Sequence, residues 1–275
     1  MMAGHTAYIE GIGVWSPVLP FWDEASRILR GETPPVQESR KRPSPDLLPP
    51  NERRRAPDTV AVSLEVASKA CSHAQRDPAS LPSVFASTHG DLAITDYMAE
   101  TLAQAPELIS PTKFHNSVHN AAAGYWAIAT GCMQPYTAVS ASHLSFANGL
   151  LEALVQVHCD NANVLYVAYD IEAQGPLASV VNITGRFGCA LVLNSRPTAQ
   201  AKFAVHWTTG AAAKPIESTA DTQCASLVAG NAMAGAISLL DRLARSEGRC
   251  VYALGPGLSL ELEVETMKNE SGPAA

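Results

Sequence analysis

Apolar positions along the chain follow two periods. Near the C-terminus, Leu258, Leu260, Leu262 and Val264 alternate with Ser259, Glu261, Glu263 and Glu265, the two-residue period of a half-buried strand. Phe146, Leu150, Leu151, Leu154 and Val157 recur instead at helical spacing, which predicts a helix over 146–158. Val62, Val66, Ala67 and Ala70 do the same for 58–73, with Asp58 as the capping residue. Further helices are expected at 23–31, 94–102, 121–130 and 227–244. Almost continuously apolar runs at 163–169 and 187–193 read as strands covered on both faces. Other strands are expected at 6–15, broken by Gly11 and Gly13, and at 83–87, 136–141 and 202–207. The stretches 36–57 and 208–225 show no period and read as loops, and the last ten residues, 266–275, as a disordered tail. Strands alternating with helices predict a layered α/β fold.

Composition sharpens this picture in three ways. With 275 residues, the chain is long enough for one large α/β domain or two small ones, and 47% hydrophobic against 16% charged residues is a well-buried balance. A net charge of −7 argues against nucleic acid as a general partner. Yet Arg40, Lys41 and Arg42, then Arg53, Arg54 and Arg55, make one basic region, either a solvated loop or a dock for an acidic partner. The six cysteines form no C-x-x-C pair and no metal-ligand spacing. No apolar run approaches the ~18 residues of a membrane span and no charged-then-apolar leader opens the sequence, so a reduced, cytoplasmic protein is expected.

The chain is organised around 114–160. A small-residue helix to Thr130, a break from Gly131 to Pro135, a strand from Tyr136 and a tight turn at 142–145 lead into a buried helix. Such a turn presents a side chain at a helix N-terminus, as nucleophile elbows do. The residue at its tip is His143, a poor nucleophile, and more plausible as a pocket filler than as an acid or base. Ser142 or Ser145 as nucleophile would need a paired base. His115 and His119 have i, i+4 spacing but lack the glutamate of a zinc-protease helix and a third ligand, so no metal is expected. Tyr125 and Trp126 read as core or interface aromatics. Gly11-Ile12-Gly13 is too little for a nucleotide loop, and no cofactor is expected.

This central stretch resembles the β-ketoacyl synthases of the thiolase superfamily. Their frame N-x3-G-x6-G-x3-P-x7-C runs without a gap through Asn120, Gly124, Gly131 and Pro135 to His143, and Ser145 matches the serine two places beyond the family's cysteine. The Arg53–Arg55 region before a long helix, the strand VLYVA at 164–168 and GRFGCALVL at 185–193 extend the similarity. Gly230-Asn231-Ala232-Met233 and Gly255-Pro256-Gly257 stand where the family has G-H-x-[LM] and G-F-G-G. The resemblance implies a thiolase-like αβαβα arrangement with mixed five-stranded sheets. It also implies a single domain over 1–265, with an N-terminal half to 195 and a shortened C-terminal half from 196. A chain this short resembles the truncated chain-length-factor-like subunits that accompany ketosynthases of aryl polyene pigment pathways.

By the same resemblance, the catalytic set is lost. A decarboxylative condensing enzyme needs a thiolate and two donors for the developing oxyanion, each such donor worth roughly 2.7–4 kcal/mol. His143 replaces the cysteine, Asn231 replaces one histidine, and the loop carrying the other is missing. Ser226 stands in place of a lysine. Pro256 falls where a backbone N–H would line the oxyanion hole, and proline has none. The implied role is that of a non-catalytic subunit. It would pair with a full-length ketosynthase as a heterodimer, receive an acyl carrier protein and shape a shared acyl tunnel. Residues 136–140 would then pair across the two-fold axis and 111–126 line the interface. Phe114, Tyr125, Trp126, Met133, Tyr136, Val139 and Phe146 are the tunnel or interface candidates, and Arg40, Lys41, Arg53, Arg54 and Arg55 the carrier-docking ones. The alternatives are a divergent acyltransferase or thioester hydrolase using His143 or a nearby serine, and a homodimeric acyl-binding protein.

Overall fold

The computed structural model describes residues 4–36, 42–211, 226 and 228–267. Strand β1 (His5–Trp15) leads into helix α1 (Trp22–Leu29), and a short helix α2 (Pro50–Arg55) precedes α3 (Asp58–Ala74). Then come β2 (Ser83–Ala86), α4 (Leu92–Gln104), α5 (Pro111–Asn116), α6 (Ala121–Thr130), β3 (Tyr136–Val139) and α7 (Ser145–Asp160). The chain continues through β4 (Val164–Asp170), the single turn α8 (Ala178–Val181), β5 (Phe187–Asn194), β6 (Phe203–Ala211), α9 (Ala236–Arg245), β7 (Glu247–Gly255) and β8 (Leu258–Thr266).

The layered α/β arrangement is the expected one, but its sheet is not. One eight-stranded sheet, in the order β3-β2-β4-β5-β1-β6-β8-β7, replaces the expected five-stranded sheets. The cause is a direct pairing. β6 lies antiparallel against the first half of β1, Ala7 opposite Val205, so the C-terminal strands prolong the first sheet. β2 runs parallel to both β3 and β4, and β3 ends the sheet on one side.

Helices cover both faces. On one, α7, α1 and α9 enclose Ile12, Leu150, Leu154, Tyr166, Leu240 and Leu262; on the other, α3 and α6 close over Phe85, Leu165, Val167, Val192 and Trp126. β4 and β5 are buried along their whole length, as their unbroken apolar runs require. The glycines of β1 do not break it. A Cβ on Gly11 would sit 2.1 Å from the carbonyl oxygen of Ala70, and one on Gly13 2.0 Å from that of Val66, so both let α3 lie directly on the strand. Gly11 also follows a register shift in β1. There the N–H of Ile12 points at His73, whose Nδ1 accepts it at 3.1 Å.

Four local expectations change. Asp58 is the first residue of α3 rather than its cap, and its carboxylate pairs with Arg42 at 2.9 Å and Arg186 at 3.6 Å. The expected helix over 227–244 is interrupted: Val228 is helical, 229–235 form turns and a bend in which the Asn231 side chain accepts the N–H of Met233, and the regular helix runs from Ala236. β7 and α2 went unforeseen. β8 runs through Thr266, and the N–H of Met267 bonds to the carbonyl of Lys202, so the strand outlasts the expected boundary at 265. The rest of the expected tail, 268–275, lies outside the described residues.

Candidate functional site: the turn between β3 and α7

The expected helix, strand, turn and buried helix are all present, and hydrogen bonds from Thr88, Ser140 and Ser145 hold the turn. Ser142 has φ +53°, a left-handed conformation that non-glycine residues adopt at a cost. Ser145 fixes it: its Oγ donates to the carbonyl of Ser142 at 2.6 Å and accepts the N–H of Ala141 at 2.9 Å. Thr88 donates to the same Ser142 carbonyl at 3.3 Å, and Ser140 returns a bond to the carbonyl of Thr88 at 2.8 Å. Ser145 is therefore fully buried and occupied with the backbone, which leaves it no activated proton to lose. His143 stands exposed at the tip.

Beneath the turn lies the carboxyl of Asp170, at the end of β4. Burial pushes it above the usual carboxylate range, opposed by a bond from the Ser87 hydroxyl at 2.7 Å and one from the N–H of Thr88 at 3.0 Å. Asn231 packs against the same strand end. Its Nδ2 donates to the carbonyls of Asp170 (3.1 Å) and Gly185 (3.2 Å), while its Oδ1 accepts the N–H of Met233 at 3.0 Å. The residue thus tethers β4, the 184–186 loop and the approach to α9. Asn148, in the first turn of α7, donates to the carbonyl of Leu254 at 3.2 Å and so draws the end of β7 towards the turn. Pro256 follows at the exposed tip of the β7–β8 hairpin. Ser226 is exposed.

Three of the described cysteines are buried thiols held protonated. Cys71 and Cys189 are buried, and desolvation pushes both thiols up to about 12; Cys250 rises to about 11 for the same first reason. A protonated, buried thiol is a poor nucleophile. His119 binds the carbonyl of Ser87 through Nε2 at 2.9 Å, which orients the ring against the 87–90 loop. Among the described residues no three His, Cys, Asp or Glu side chains converge as a metal site. No described helix is long and apolar enough to cross a membrane.

The tunnel and interface candidates divide in two. Trp126 and Phe146 are core residues, Phe146 packing edge-on to Tyr252 at 5.5 Å between ring centroids. Val139 is half-buried against the same core. Phe114, Tyr125 and Tyr136 instead line a groove of about 630 Å³ along α6, with Val118 and Ile128. Around it the apolar exposure is large: 62% for Phe114, 79% for Ile128 and 94% for Met133. β3, the end strand of the sheet, borders this face. Sequence reasoning missed Ile128 and Val118, although both lie in the small-residue helix or its approach.

Of the basic candidates, Arg53 is tied to Asp46 at 3.0 Å and to the carbonyl of Leu48, and Arg54 to Asn51. Arg55 has no hydrogen-bond or ion-pair partner among the described residues. Arg40 and Lys41 lie outside the described residues.

A model of the β-ketoacyl synthase N-terminal domain matches residues 25–253, and the chain belongs to that family. Its fold is correspondingly that of the thiolase-like ketosynthases. Among solved structures, a chain of the ketosynthase ApeO in complex with its chain length factor ApeC, from Xenorhabdus doucetiae, is 23% identical. That alignment covers 94% of this chain and 99% of the other, with a TM-score of 0.70. The ishigamide ketosynthase/chain length factor aligns at 14% identity and TM-score 0.69, over 96% of this chain and 100% of that one. A third similar structure is the type II polyketide assembly AntDE:AntF, an acyl carrier protein in complex with its ketosynthase. It is 11% identical, with a TM-score of 0.72 over 96% of this chain and 100% of the other. Sequence comparison with curated proteins gave no match.

Proposed function

We propose that this chain is a non-catalytic, chain-length-factor-like subunit. It pairs with an active β-ketoacyl synthase of a type II polyketide or fatty-acid-like pathway, of the aryl polyene kind, and shapes the acyl tunnel of the complex. One observation carries the reading: the elbow is retained, while Ser145, Thr88, Asp170 and Asn231 are each spent on holding backbone. A scaffold kept without reactive groups is valuable for its shape. The exposed groove on α6 and the end strand β3 supply the apolar surface that an obligate partner would cover. The partner would supply the thiolate, and both subunits would wall the acyl chain delivered by a carrier protein docked near Arg53–Arg55, together with Arg40 and Lys41. The reaction belongs to the cytoplasm, where acyl carriers are held reduced.

Co-expression with a ketosynthase bearing an intact Cys-His-His set tests this. The expected result is a one-to-one complex that condenses acyl chains, with product length altered by Phe114→Ala. The chain alone should form no covalent adduct with acyl-CoA or acyl carrier protein. An adduct or turnover abolished by His143→Ala would establish an acyltransferase or hydrolase instead. A stable homodimer that ignores the ketosynthase would favour an acyl-binding protein.

A further inference from the structure

A second cavity, of about 480 Å³, lies between the starts of α3 and α4 and one side of α5. It shares only Arg55 and Thr112 with the apolar groove, and its chemistry is different. Two carboxylates line it, and both are already engaged. Asp58 is held by Arg42 and Arg186. Asp91 accepts the N–H of Ile94 at 3.0 Å and the hydroxyl of Thr59 at 2.9 Å. Arg42 is engaged as well, through Asp58 and the carbonyls of Ala56 and Arg53.

What remains is cationic and hydrogen-bonding. Arg55 and Lys113 line the cavity and form no ion pair among the described residues; the Lys113 ammonium rests 4.4 Å from the centre of the Tyr97 ring. Asn116, on the same wall, is only 4% exposed, and its Oδ1 is buried without a partner. The two ends of a carboxamide are interchangeable in shape, so the unpaired end can equally present an N–H. A buried amide left unpaired is unfavourable, and a ligand bond would relieve that. The α3 and α4 N-termini border the cavity, with Asp58 and Asp91 offsetting their positive ends.

We propose that this cavity binds the anionic group of a small organic ligand, a carboxylate or a phosphate. The Arg55 guanidinium grips two of its oxygens, Lys113 neutralises it, and the Asn116 amide completes the contact. The site adjoins the faces assigned to the partner and the carrier, since Arg55 and Thr112 border both cavities and Lys113 and Asn116 fall within 111–126, so binding is read on the chain alone.

The test is saturable binding of inorganic phosphate and of malonate to the full chain, each against sodium chloride at matched ionic strength. Thermal shift and calorimetry provide the readouts. At least one anion should bind saturably, phosphate marking a phosphate ester and malonate a carboxylate as the natural group. The double variant Arg55→Gln/Lys113→Gln should weaken that binding at least ten-fold, and Asn116→Asp should abolish it, with circular dichroism confirming the fold. Arg249→Gln, which changes a residue paired with Glu261 at the other end of the sheet, should leave it unchanged. No saturable response to either anion, or equal binding by the double variant, overturns the proposal.

Discussion

The side-chain amide of Asn231 donates to the main-chain carbonyl of Asp170 at 3.1 Å, joining the approach to α9 to the end of β4 across 61 residues of sequence. By the sequence resemblance, the same residue is expected where ketosynthases carry a histidine. A side chain that serves Asp170 and Gly185 as donor and Met233 as acceptor has become part of the framework.

Asn231→Ala is expected to destabilise the chain by about 1–3 kcal/mol, since buried carbonyls and one N–H lose their partners together. Asn231→His should cost a similar amount, because one imidazole cannot both make two donor bonds and accept the N–H of Met233. Urea denaturation of the variants gives the measurement. A loss under about 0.5 kcal/mol would mean that the tether does not matter.

Two glycines should respond in opposite directions. Gly13→Ala places a Cβ 2.0 Å from the Val66 carbonyl oxygen, forcing β1 and α3 apart. It should cost about 2–3 kcal/mol or prevent folding. On α6, a Cβ at Gly124 meets no atom within 4 Å. Gly124→Ala should therefore stabilise the lone chain by roughly 0.5–1 kcal/mol. It should also weaken assembly with a ketosynthase if the partner lies directly on that helix. Denaturation and native mass spectrometry separate the two effects.

Stability should fall with pH in two windows. His73 is held neutral in the fold, first by desolvation and then by nearby Lys202, so its pKa is depressed from 6.5. The unfolded chain binds a proton there first, and stability is lost as pH drops below about 6.5. Glu10 has a lowered pKa although burial, the largest influence, raises it; bonds from Arg76, Thr198 and Asn194 prevail. Arg76 grips it with two bonds of 2.7 Å. That contribution is complete above 4.5 and disappears as pH falls through the lower folded value. His73→Gln should flatten the upper window alone, and Glu10→Gln the lower one, in denaturation series from pH 7 to pH 3.

Local pattern carried far into this fold. The apolar runs of β4 and β5, the alternation of β8 and the helical spacing of α3 and α7 each lie within one segment, where period and burial are coupled directly. β7 was hidden because Glu247, Gly248 and Arg249 open it and leave only a short apolar run at 250–254. The helix expected from 227 is broken over 229–235, where the Asn231 side chain bonds to the backbone of Met233.

The sequence by itself determined the order of elements, the α/β class and the motif frame ending at His143, since these depend on neighbours along the chain. Tertiary structure alone decided that the C-terminal strands join the first sheet, and that Trp126 is buried while Ile128 and Met133 face outwards. It also decided that Ser145, Asp170 and Asn231 converge on one turn. Those outcomes depend on pairings between residues dozens to hundreds of positions apart, and such pairings leave no period in the chain for a local pattern to reveal.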